Sequence, residues 1–148
     1  MANHIRQQIR EQFATQITGL TTTGSNVFQS RVYNFEQGEL PAVIVYTKSE
    51  DSEPDTLGTN RILIRNLSLV CECYVKAIAN FDDTLDTISK EIETAIAADS
   101  TLNGLAKDVF IESTEIDYNG DGEKPVAVAT LTFDVMYETR EQSPDTAA

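Results

Sequence analysis

The chain has 148 residues, of which 41% are hydrophobic and 24% charged, and a net charge of −13. This composition describes one folded domain rather than a disordered chain, and no apolar run approaches the roughly 20 residues of a membrane span. Tight nucleic-acid binding needs rows of Lys and Arg to replace counterions, and the sequence has none: residues 1–40 balance Arg6, Arg10 and Arg31 against Glu11, Glu36 and Glu39, and all the excess acid follows Leu40.

The first ten residues, MANHIRQQIR, contain no apolar core, so no secretory leader is expected. Ile5, Ile9, Phe13 and Ile17 recur every four residues and predict a helix over 3–18, with Gly19 as its stop. VFQSRVYNF and ELPAVIVYTK read as strands, with Pro41 near the start of the second, where a missing N–H is tolerated. Residues 49–60, SEDSEPDTLGTN, are acidic, carry Pro54 and Gly58, and read as an exposed mobile loop. RILIRNLSLVCECYVKA then reads as one long strand. Leu63, Leu67, Leu69, Cys71, Cys73 and Val75 share a face that Arg65 interrupts. Fully extended, residues 61–76 reach about 50 Å at about 3.3 Å per residue, and a compact domain of this size is about 38 Å across. The strand must therefore bend, break or protrude.

A second helix is expected over 82–98, with Leu85, Ile88, Ile92, Ala95 and Ile96 buried. Asn80 is its expected cap, with Asp83 in a box-like position, and Asp82, Asp83 and Asp86 suit the positive end of the helix dipole. Two strands follow. On the last, Ala127, Ala129, Leu131, Phe133, Val135 and Tyr137 alternate with a mixed face. Between them DYNGDGEKPVAV opens like a calcium loop at Asp117, Asn119, Asp121 and Gly122. Position 9 is Pro125, and position 12 is Val128, which has no oxygen to close the shell. Asn-Gly and Asp-Gly between strands predict a hairpin tip instead. The order predicts an α+β fold: a largely antiparallel sheet, two helices on one face and a C-terminal hairpin. One domain is expected over 1–140, with a flexible tail at 141–148.

Enzyme chemistry finds no footing. His4 is the one histidine, beside the terminus, where an exposed surface residue is expected and no triad is built. Cys71 and Cys73 point to one face of a strand and lack further ligands for zinc. GTNRIL lacks the spacing of a phosphate loop. No catalytic residue, metal or cofactor is expected.

Taken together, the helix IRQQIREQF, the strand ending LPAVIVYTKSED, the long strand LSLVCECYVKA, the helix FDDTLDTISKEIETAI and the ending IESTEIDYNGDGEKPVAVATLTFDVMYETRE are a pattern seen before. The chain resembles the tail terminator, or tail-completion, proteins of long-tailed bacteriophages, typified by the lambda minor tail protein U. That resemblance implies a non-catalytic subunit of a six-membered ring at the head-proximal end of the tail tube. The ring would end tube growth and meet the tail tube protein on one side and neck or head-completion proteins on the other. DNA would pass through it without specific binding. The protein would belong to the virion, assemble in the host cytoplasm and meet no membrane. Candidate partner contacts are Asp51, Glu53, Asp55 and Leu57 in the acidic loop, with Arg61 and Arg65 on the candidate arm. Another neck or head-completion role, or a monomeric binding module, is the alternative.

Overall fold

The computed structural model describes residues 3–29, 40–77, 79–119 and 126–148. Its elements are α1 (Ile5–Ile17), β1 (Val27–Gln29), β2 (Ala42–Pro54), β3 (Ile62–Lys76), α2 (Phe81–Ala98), β4 (Asp108–Asn119), β5 (Val126–Arg140) and β6 (Ser143–Ala147). The strands form one sheet in the order β1-β2-β3-β5-β4, with β6 also paired to β5. Every pairing is antiparallel except β1 with β2. The expected α+β class is the one observed.

The sheet is built by period-two burial. Along β5, Ala127, Ala129, Leu131, Phe133, Val135 and Tyr137 are all buried, while the residues between them are not. In register on β3 lie Val75, Cys73, Cys71, Leu69 and Leu67. Both helices cover this face: Ile5, Ile9, Phe13 and Ile17 of α1, and Leu85, Ile88, Ile92 and Ile96 of α2, join the same core. Phe13 meets Phe133 edge to face, with centroids 5.1 Å apart. A smaller cluster of Leu40, Ala42, Ile44, Tyr74 and Val126 lies on the opposite face.

Four expectations change. First, β3 neither breaks nor protrudes alone. It is a central strand, paired with β5 from Ile62 to Lys76 and with β2 from Leu63 to Tyr74. Second, the first half of the expected acidic loop is strand: β2 runs to Pro54, and Pro54 pairs with Leu63. Residues 51–54 are exposed, so no apolar alternation marks them as strand. Third, residues 141–148, expected as a tail, contain β6, and Thr139 pairs with Ala147. Fourth, Asn80 stands at the start of α2 in the left-handed region (φ 65°), and its side chain makes no capping bond. The Thr84 N–H donates to the Asn80 carbonyl instead, at 3.2 Å.

Asp117 and Asn119, the opening positions of the calcium-like motif, lie in β4. Asp117 pairs with Val128 across the hairpin. The tip itself, residues 120–125, lies outside the described residues, as do residues 30–39, which include most of the expected first strand after β1.

Candidate functional site

The far ends of β2, β3 and β5 and the start of β6 gather at one pole of the sheet. Residues 55–61 turn β2 into β3 there. Gly58 (φ 96°) supplies the positive φ that this reversal needs. The Asp55 N–H donates to the Ile62 carbonyl at 2.8 Å, and the Ile62 N–H donates to Thr56 Oγ1 at 2.8 Å.

The turn is also tied to the neighbouring strands. Arg61 Nε donates to Glu141 Oε1 at 2.9 Å, the Glu141 N–H donates to the Arg61 carbonyl at 3.0 Å, and the Gln142 N–H donates to Asn60 Oδ1 at 2.8 Å. Four strand ends therefore form one braced platform rather than a loose arm.

The candidate residues divide between this platform and the interior. Asp51 and Glu53 lie on the outer face of β2, opposite Asn66 and Ile64, and both are exposed. Asp55 and Leu57 sit in the turn. Leu57 is 92% exposed, an isolated apolar side chain at the outermost point. Arg61 stands at the foot of the turn, ion-paired to Glu141. Arg65 is not part of this surface. It faces the helices and donates to Glu50 Oε2 at 3.1 Å and to Thr139 Oγ1 at 3.0 Å.

That inward contact belongs to a polar cluster beneath the platform. Glu50 Oε2 also accepts from Arg6 Nη1 at 2.8 Å, and Glu50 Oε1 accepts from the Tyr137 hydroxyl. The arrangement joins α1, β2, β3 and β5 through one carboxylate. Burial, then the hydrogen bond to Glu50, raises the Tyr137 phenol well above its ordinary range, so it stays protonated and donates. His4 caps α1: its Nδ1 accepts from the Arg6 N–H at 3.0 Å. Burial, then Arg6 and Arg65, lower its pKa, with Glu50 opposing. These groups fasten a helix end to a sheet and place no nucleophile beside a base.

Among the described residues, no three His, Cys, Asp or Glu side chains gather in a way that holds a metal ion. Cys71 and Cys73 are free and buried. Burial drives the Cys71 thiol well above its ordinary pKa and the Cys73 thiol up to about 12, so neither is a nucleophile.

Sequence reasoning missed Glu50, Tyr137 and His4 as a set. Arg65 was the available signal, because a charge interrupting an apolar face requires a partner on that same face. The bulge between Thr47 and Ser49 is what brings Glu50 into line with Leu67 and onto that face.

Residues 2–137 match the family model for phage minor tail protein U. No curated protein matches the chain. Among solved structures, a chain of the virion of a native gene transfer agent particle is 14% identical, with 92% of each chain covered and a TM-score of 0.40.

Proposed function

The chain belongs to the phage minor tail protein U family, and from that premise we propose that it is the terminator of the tail tube. It is a structural tail protein and a component of the virion. In the proposed role it forms a ring, six-membered by resemblance, on the head-proximal end of the tube. There it stops further stacking and presents a surface to the neck or head-completion proteins. It carries out no catalysis.

The observation that carries this reading is the unlikeness of the subunit's two ends. A terminator must match the growing surface on one side and fail to reproduce it on the other. One pole is the braced platform with Leu57 at its tip; at the other, the end of β4 pairs with the start of β5, and Tyr118 stacks on Phe81 at the start of α2.

Charge fits the passage of DNA. Six copies at −13 each carry about 78 negative charges, which repel phosphate and discourage sticking in the channel. The same charge opposes assembly, and salt screens it over about 10 Å at 0.1 M.

The test is reconstitution. Purified protein added to uncapped tails of correct length, from lysates lacking it, should cap them and restore joining to full heads. Tails that join heads equally well without it overturn the reading.

A further inference from the structure

A second surface lies away from the platform, along β4. Among the described residues β4 pairs only with β5, so its other edge is open. From Glu112 to Tyr118 every residue is exposed, so this half of the strand is bare on both faces as well as along its edge. Five large apolar side chains in the described chain are exposed. Phe110, Ile116 and Tyr118 lie on β4 itself, and a fourth, Met136, sits across from Asp108 on β5. Tyr118 is already half of a stacked pair with Phe81, at 5.2 Å between centroids, which holds its ring in place. An open strand edge flanked by exposed aromatic groups is a template for a further strand.

The electrostatics select what that strand must be. Within Asp108–Asn119 the charged residues are Asp108, Glu112, Glu115 and Asp117, and there is no base. Beside them on β5, Asp134 has a buried Oδ1 with no hydrogen-bond partner and lies next to Glu112. Glu112 and Glu115 also border a shallow cavity of about 290 Å³ with Ser68, Thr130 and Thr132, where Lys48 is the one base among the lining residues. Two β4 edges meeting one another would set acid against acid, and the bulge between Ile111 and Ser113 further spoils that match. A basic strand meets none of these obstacles.

We propose that the free edge of β4 is a docking strand for an extended, cationic segment of another protein. Backbone hydrogen bonds along the edge supply the register. Lys or Arg side chains on one face reach Glu112, Asp134, Glu115 and Asp117, and apolar side chains on the other cover Ile116 and Tyr118. The proposal concerns an edge that the tube-capping reading does not use, and it stands whether or not that reading holds.

The probe is a nine-residue peptide of alternating Lys and Thr, with Glu replacing Lys in its counterpart. The Lys peptide should bind, more weakly as salt rises, and should protect the amides of β4 from exchange while leaving Val27–Gln29 unchanged. The Glu peptide should not bind. Methylating one of the two alternate sets of backbone nitrogens in the Lys peptide should abolish binding. The double variant Glu115→Lys with Asp117→Lys, at exposed positions that leave the fold intact, should bind about tenfold more weakly.

Equal binding of the Lys and Glu peptides, indifference to methylation of both sets, or protection outside β4 overturns the proposal. So does protection of β4 that appears without peptide as protein concentration rises, which assigns the edge to a second copy.

Discussion

Tyr137 donates its phenolic hydrogen to Glu50, a residue 87 positions earlier in the chain. Arg65 and Arg6 reach the other oxygen of the same carboxylate. Removing one member of a partly buried ion cluster leaves the others uncompensated. Glu50→Ala should therefore cost about 2–3 kcal/mol, since Arg65 is mostly enclosed and Arg6 is 40% exposed and can turn to water. Tyr137→Phe loses one bond to a charged acceptor and should cost about 1.5–2 kcal/mol. Urea unfolding of the two variants checks this. A Glu50→Ala protein as stable as the parent contradicts the role given to the cluster.

The cap at His4 makes stability depend on pH. Its Nδ1 must stay unprotonated to accept the Arg6 N–H, and burial with Arg6 and Arg65 lowers its folded-state pKa below 6.5. The unfolded chain therefore binds the proton first as pH falls. This contribution is full above about pH 6.5 and is lost as pH drops through the folded value. His4→Asn keeps a capping oxygen without titrating and should flatten that part of the profile. Following the single histidine by NMR should give a midpoint below 6.5, and a midpoint above it contradicts the cap.

Thiol reactivity reports the core. Cys71 and Cys73 are both fully enclosed between helices and sheet, with their thiol pKa values raised by burial. A maleimide should label neither in the native protein at pH 8 and both in urea, at a rate set by unfolding. Rapid native labelling would mean that this face of β3 opens.

Leu57 separates stability from docking. It is 92% exposed, so Leu57→Ser should change unfolding free energy by less than about 0.5 kcal/mol. If the platform contacts the tube or neck, the same change should weaken tail capping or head joining. Asp51→Asn with Glu53→Gln should act the same way without disturbing β2. Wild-type capping by all of these variants places the contact elsewhere.

The sequence made the core legible where burial writes a period. Ile5 to Ile17 repeats every four residues, and Ala127 to Tyr137 alternates, so α1 and β5 could be read directly. The platform could not. Residues 51–54 are strand by pairing with β3, yet exposed, so they carry no alternation and their Pro and acid content reads as loop. Arg65 looked like a surface charge on an arm, because its partner Glu50 reaches that face only through a bulge, and register is not written in composition. β6 escaped for the same reason as the end of β2: SPDTA has turn chemistry, and only its pairing beside Thr139 and Arg140 makes it a strand.

The central claim is that this protein ends tube growth. Ring stacking has no built-in stop, because each added ring presents the surface that received it. The direct measurement is the distribution of tail lengths by electron microscopy in lysates of phage lacking this gene. The account predicts full heads, free tails that include many overlong ones, and no joined particles. Tails all of normal length and already capped, alongside unsealed heads, would contradict it and assign the protein to head completion instead.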